Sequence, residues 1–378
     1  MKNVWLYVVA GLVGLVVLIG IASKVGTWLE GGSDKGKTEV LGGPYSFLII
    51  DAQGGKKFEK HSPGFPGRAF PNKDELVPKE GAAEPTLVTR KALGTIGNIR
   101  VWGPDTDVNK EAASRAFDHI EDVGGELNVY SQNSEVMQVN RAAGVEAVQV
   151  SDAMMTVMKR ALLVAELSDG AFDPTVGPLV DLWSVTMQTG HLPAPAQIEA
   201  TREVVGYKFV ELDEAARTVK LTKAGMKLNL SAIAKGYLAD EGARVINAEG
   251  GVQGATVELG GDIAAFGHKP DGSVFHILIE NPFVENGPAQ GIIEGTDFGV
   301  VTSGNYRQFV VINSQRYSHI IDPKTGQAIP GVTSCTVTGP DAMTCDALAT
   351  AICVMGYDRG LALVQKMNQW YKQHPPER

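Results

Sequence analysis

Asp346 and Thr350 bracket an apolar Ala347-Leu348-Ala349 step, so in a helix they stand at i and i+4 on one face. A carboxylate and a hydroxyl placed in this way can grip one hard cation. Magnesium suits such a pair, because it keeps few protein ligands and takes the rest from water and phosphate oxygens. The Thr302-Ser303-Gly304 turn adds hydroxyls and a permissive backbone. Together these segments read as a magnesium-dependent site for a diphosphate. The bland reading of the pair is an aspartate in a first helical turn, favoured by the helix dipole.

Three further clusters carry polar groups beside apolar runs. In Leu230-Ser231-Ala232-Ile233-Ala234-Lys235-Gly236-Tyr237 a strand gives way to a helix, whose free N–H groups and positive dipole end attract anions. Ser231 is placed to cap that helix and Lys235 to add a cation for a phosphate; an ordinary cap with a surface lysine is the alternative. Glu258-Leu259-Gly260-Gly261-Asp262 permits positive φ and close approach of a ligand to backbone, or is a tight hairpin turn. Tyr317-Ser318-His319-Ile320-Ile321-Asp322-Pro323 puts His319 near a strand end beside Asp322, where an imidazole can accept a proton near neutral pH.

The elements that must hold these groups can be read in outline. The chain has 378 residues, enough for one large domain or two smaller ones. A net charge of −9 without a long Lys/Arg cluster disfavours nucleic acid as a partner. Cys335, Cys345 and Cys353 form no C-x-x-C pair and are too few for a disulfide framework, so they read as small buried apolar residues. From Val4 to Ala22 no residue is charged. At roughly 1.5 Å per residue that run just crosses a ~30 Å hydrocarbon core, which predicts a transmembrane anchor over residues 1–23. Residues 24–85 read as a polar, proline-punctuated tether with little core of its own, containing a strand-like run at Ser46–Ile50 and a linker histidine, His61.

From Thr86 the patterning becomes that of a folded domain, taken to run over 86–372. Strands are expected at Thr86–Arg90 and Ile96–Trp102, a helix at Val108–Leu127, and a second helix from the cap Ser151 to just before Gly170. A hairpin follows at Phe209–Leu212 and Thr218–Leu221, then strands at Met226–Leu230, Ala255–Leu259, Ile263–Phe266, Val274–Glu280, Gly299–Thr302, Gln308–Ile312 and Arg316–Ile320. Helices are expected at Ala232–Ala248, Cys345–Val354 and Arg359–Gln369. Strand runs with few helices predict an α+β fold with largely antiparallel sheets flanked by helices. No G-x-G-x-x-G opens a helix after a strand, which disfavours a Rossmann dinucleotide site.

Taken in order, these strings resemble the ApbE family of flavin transferases. The resemblance also rests on Tyr130 within Tyr-Ser-Gln-Asn-Ser-Glu and on the run Gly170-Ala171-Phe172-Asp173-Pro174-Thr175-Val176-Gly177-Pro178-Leu179 with Leu182-Trp183. It implies binding of FAD with Mg²⁺, cleavage of the diphosphate, transfer of FMN to a Thr or Ser hydroxyl of a target protein, and release of AMP. It places Ala234 (through its carbonyl), Asp346 and Thr350 on the metal. It places Leu93, Tyr130, Ala171, Phe172, Asp173, Ser231, Lys235, Tyr237, Glu258 and Thr302 around the flavin nucleotide. His319 is the candidate for activating the acceptor hydroxyl. Where the family often has Met-Gly-Thr this chain has Leu93-Gly94-Thr95, a change that roughly conserves volume. The family implies a domain outside the cytoplasm, hence a single-pass cytoplasmic-membrane protein facing the periplasm, with a subunit of a membrane redox complex as acceptor. Two other readings use the same residues: an FAD diphosphatase yielding FMN and AMP, and a membrane-tethered flavin-binding scaffold without turnover.

Overall fold

The computed structural model describes residues 44–53, 57–61 and 84–375, apart from 285, 286, 288, 307 and 331. The predicted anchor lies outside the described residues, among which no helix is long and apolar enough to cross a membrane.

One antiparallel sheet organises the domain. Its strands run, in spatial order, β2 (Lys57–His61), β1 (Ser46–Gln53), β15 (Val332–Gly339), β12 (Phe298–Gly304), β9 (Asp262–Gly267), β8 (Gly254–Leu259), β4 (Thr95–Trp102) and β3 (Thr86–Ala92). Small sheets add to it: β5 (Val148–Gln149), β7 (Thr218–Leu221) and β6 (Val210–Asp213); β10 (Phe275–Ile279) with β11 (Gly291–Gly295); and β13 (Phe309–Ile312) with β14 (Gln315–Ser318). The helices are α1 (Thr106–Leu127), α2 (Glu135–Arg141), α3 (Asp152–Leu167), α4 (Gly177–Thr189), α5 (Pro195–Arg202), α6 (Ala234–Asn247), α7 (Ala342–Met355) and α8 (Tyr357–Gln373). The expected α+β, largely antiparallel architecture is the one observed.

Strand alternation sorts the two faces of the large sheet. Phe47, Ile49, Val301 and Val337 join the main core with α1, α6 and α7, while Leu48 and Val300 join Ile279 and Ile293 of the β10–β11 hairpin on the other face. Helix α7 is buried almost all round, from Ala342 to Ala349, which is the signature of a central rather than a surface helix. All three cysteines are free thiols and buried.

Three expectations need correction. Residues 45–53 and 57–61 are not part of a coreless tether: Tyr45, Phe47, Leu48 and Ile49 are buried, and β1 pairs with β15 from Ser46↔Thr338 to Ala52↔Val332 and with β2. His61 is not in a linker but ends a strand, opposite Ile49. Met226–Leu230 is not a strand; only Lys227 makes a bridge, to Val176, and Asn140 pins Leu228 through its backbone. The central strand β15 and helices α2, α4 and α5 were not anticipated at all.

Candidate active site

Glu258, Asp262 and Thr302 converge because β8 ends, β9 begins and β12 finishes at the same end of the sheet. Gly260 and Gly261 make that turn with φ of 61° and 101°, and a Cβ on Gly260 would lie 2.9 Å from the Thr95 hydroxyl. The Leu93-Gly94 turn between β3 and β4, with φ of 54° and 76°, packs Leu93 against Gly124 of α1. The first turn of α6 and the later turns of α7 close over this end of the sheet. Gly236 in the first turn of α6 abuts α7 so closely that a Cβ would lie 2.2 Å from the Ala342 carbonyl oxygen. Only glycine permits that approach.

The centre of the arrangement is a buried ionic cluster. The Asp346 carboxylate, 2% exposed, accepts from the Gly236 N–H at 3.3 Å. It also shares a hydrogen bond with the Asp262 carboxyl, itself 1% exposed, and Lys235 donates to Asp262. Burial raises the pKa of Asp346 well above the ordinary carboxylate value; the negative charge of Asp262 adds to the rise and Lys235 opposes it. Burial raises Asp262 as well, against the pull of Lys235. Two carboxylates thus face one ammonium, a surplus of negative charge that burial makes costly and that a cation would offset.

The donor set fits magnesium on that ground. Among the described residues no group of three or more His, Cys, Asp or Glu side chains could hold a metal, so a softer, side-chain-only site is not built here. The predicted ligands are of mixed type and adjacent. Ala234 opens α6 two residues before Gly236, and Thr350 lies one turn beyond Asp346 with its hydroxyl 3.0 Å from that of Ser303. Thr302 is hydrogen-bonded in turn to Thr336 of β15, at 2.8 Å. Glu258 is steadied by Asn98 and Arg100 across the β4–β8 pair, at 3.3 and 3.4 Å.

His319 belongs to a second group of residues. Its Nδ1 lies 3.2 Å from the Gln308 carbonyl, an atom that only accepts, so the Nδ1 carries hydrogen and Nε2 is left as the basic nitrogen. The residue as a whole is solvent-exposed, yet burial of its ring among its neighbours lowers its pKa below the ordinary value, with the Gln308 carbonyl opposing and Lys235 adding to the fall. Asp322 does not orient it: both Asp322 oxygens fold their own turn, accepting from the Lys324 N–H and the Thr325 hydroxyl. That turn is joined to the 169–173 loop by the Lys324–Asp169 ion pair and, through Gly326, to Trp183 at 2.8 Å.

The other predicted contacts divide. Ala171 and Phe172 are buried in the 169–173 loop, and Ala171 shares with Asp322 and Val354 the lining of a cleft of about 230 Å³. That cleft and a neighbouring one of about 270 Å³ lie at the C-terminal end of α7, and neither is lined by Asp346, Thr350 or Glu258. Asp173 is spent on the loop itself, accepting from the Thr175 N–H and hydroxyl and the Tyr207 N–H; burial raises its pKa. Tyr237 is buried on α6, and burial with nearby Glu241 pushes its pKa up to about 12. Tyr130 is 84% exposed, a free aromatic face outside the cluster. Ser231 does not cap α6: the helix starts at Ala234 after Ile233, without a side-chain cap. Lys235 is not a free phosphate-binding cation here but the partner of Asp262. Asp262 is the residue sequence reasoning left without a role, although a carboxylate directly after two glycines at a strand end was a readable signal.

Comparison with known proteins identifies the family and the fold. Residues 93–372 match the model of the ApbE family, and the chain belongs to that family. A Vibrio cholerae serotype O1 protein named FAD:protein FMN transferase is 34% identical over 290 residues, covering 76% of this chain and 86% of that protein. A protein of the same name from Treponema pallidum is 33% identical, covering 72% of this chain and 80% of its own length. Among solved structures, the ApbE protein of Thermotoga maritima superposes with a TM-score of 0.66 at 33% identity, over 75% of this chain and 91% of that one. The flavin transferase ApbE of Vibrio cholerae gives 0.66 at 34% identity, over 76% and 92%.

Proposed function

We propose that this chain is an FAD:protein FMN transferase that uses Mg²⁺ and attaches FMN covalently to a Thr or Ser hydroxyl of an acceptor protein, releasing AMP. The observation that carries this reading is the buried Asp346–Asp262–Lys235 cluster beside the first turn of α6, a carboxylate surplus that a hard cation would balance, with the Ser303 and Thr350 hydroxyls one turn further along α7. When bound to Ala234, Asp346 and Thr350, Mg²⁺ would neutralise charge developing on the phosphate oxygens. The chain's own groups do the rest. His319 takes the acceptor's hydroxyl proton on Nε2. The hydroxyl oxygen bonds to the phosphorus on the FMN side, the bridging P–O bond breaks, and AMP leaves with that oxygen. Glu258, Thr302 and the exposed face of Tyr130 position the nucleotide, which is the larger part of catalysis in phosphoryl transfer.

The family setting and the uncharged run Val4–Ala22 support a single-pass protein of the cytoplasmic membrane, its domain on the periplasmic side and its acceptor a subunit of a membrane redox complex. The solvent exposure of His319 equally admits water, which would make the same site an FAD diphosphatase. Incubation with FAD, Mg²⁺ and a candidate acceptor domain, read by mass spectrometry and chromatography, separates the outcomes. Transfer gives FMN-modified acceptor with equimolar AMP. Free FMN and AMP without adduct would point to hydrolysis, and intact FAD to a binding scaffold.

A further inference from the structure

β1 lies well upstream of the ApbE match, which begins at residue 93, yet it is the neighbour of β15 inside the sheet. Tyr45, immediately before it, is fully buried and held on every side. The Asn368 side chain bonds its backbone at both ends, accepting from the N–H at 2.8 Å and donating to the carbonyl at 2.9 Å. Its ring meets Tyr371 edge-on at 5.7 Å, and a Cβ on Gly339 would lie 2.2 Å from it. The hydroxyl so fixed donates to Asp341 Oδ2 at 2.6 Å. Asp341 is the N-cap of α7: its other oxygen accepts from the Thr344 N–H at 2.7 Å, and Arg160 donates to the Thr344 hydroxyl at 2.7 Å. The same helix carries Asp346 in its next turn and Thr350 one turn later.

We infer that Tyr45 is a positioning residue for the metal site, setting through Asp341 where α7 begins and therefore where Asp346 and Thr350 stand. The N-terminal segment beyond the family boundary is then a working part of the catalytic unit. A helix with only one possible start cannot slide or fray at the cap, and a fraction of an ångström at the first turn is passed to the ligands one and two turns on. This inference rests on the metal reading above.

The test uses the full chain and three proteins: wild type, Tyr45→Phe and Leu48→Ala. Leu48 points from the same strand to the opposite face of the sheet, so its truncation loosens β1 without touching Asp341. The probe is Mn²⁺ without FAD, free ion being counted by electron paramagnetic resonance, alongside the Mg²⁺ dependence of FMN transfer. Tyr45→Phe is expected to weaken Mn²⁺ binding and raise half-saturating Mg²⁺ by about 10-fold, the lower end of what loss of outer-shell partners costs, with kcat at saturating Mg²⁺ within about twofold. Leu48→Ala is expected to lower Tm at least as far with metal affinity unchanged. Equal Mn²⁺ affinity in wild type and Tyr45→Phe, or equal weakening by Leu48→Ala, overturns the inference alone. A wild type that binds no Mn²⁺ and transfers FMN without Mg²⁺ overturns the metal reading and this inference with it.

Discussion

Helices α6 and α7 begin against one another, but their first turns are finished in opposite ways. The start of α7 is closed twice over. Asp341 caps the Thr344 N–H, and the Asp240 carboxyl, reaching across from α6, takes the Ala342 and Met343 N–H groups at 2.8 Å each. The start of α6 has no side-chain cap; its Gly236 N–H is taken instead by Asp346, a carboxylate delivered by the neighbouring helix. Held by two carboxyl side chains, α7 acts as a fixed rail for its aspartate and threonine. The α6 start keeps the positive end of its dipole where Asp346, Asp262 and Lys235 meet, which favours a phosphate, while the surplus carboxylate favours a cation. Equivalent helix ends thus divide into a structural one and a chemical one.

The sharpest way to break that division is Asp346→Asn. FMN transfer should fall by about 10³-fold, the scale of losing a central charge-stabilising group. The same variant should raise Tm in metal-free buffer at neutral pH. A buried carboxyl whose folded pKa is raised stabilises below its unfolded pKa and loses that stability as pH climbs through the folded value, so removing its charge relieves the fold. Calorimetry with and without Mg²⁺ reads both signs; an active, destabilised Asp346→Asn would contradict them.

His319→Ala should cost about 10²–10³-fold in kcat through loss of the general base, with half-saturating Mg²⁺ unchanged. Asp240→Ala tests the structural end. It leaves two amides of α7 unpaired, about 2 kcal/mol and about 4–8 °C in Tm, while kcat at saturating Mg²⁺ stays within a few-fold. A collapse of kcat at full folding would erase the contrast between the two helix starts. The smallest effect is in the pH profile. Because the His319 pKa is lowered, its neutral form persists into mildly acidic solution, and the acid limb of kcat/KM should lie below the ordinary histidine value of 6.5. A limb above that value would take the base role from His319.

Much of this was legible in the chain because the site strings sit at element ends. A Gly-Gly step after β8, an Asp-x-x-x-Thr face on α7 and a histidine after a hairpin strand each mark a boundary where side chains of different elements can meet. What escaped notice was buried from both sides. β15 reads Val-Thr-Ser-Cys-Thr-Val-Thr-Gly, and its polar Ser334, Thr336 and Thr338 are as buried as Cys335 and Val337, so no polar face betrays a strand. The Ser231 cap failed because α6 is started by the Ile233 and Ala234 N–H groups bonding to Leu230, with no need of a hydroxyl. Asp322 was paired with His319 by sequence proximity alone, whereas an aspartate before Pro-Lys-Thr finds its own turn first. Tyr45 could not be read at all, since its partners Asp341 and Asn368 lie some three hundred residues away in sequence.

The most direct test of the account is a Mg²⁺ titration of FMN transfer, followed by intact-mass spectrometry of an acceptor domain incubated with FAD and either wild type or Asp346→Asn. The account predicts adduct that rises with Mg²⁺ and vanishes on chelation in wild type, and background adduct at every Mg²⁺ concentration in the variant. Transfer that survives chelation, or that Asp346→Asn supports at the wild-type rate, would contradict it.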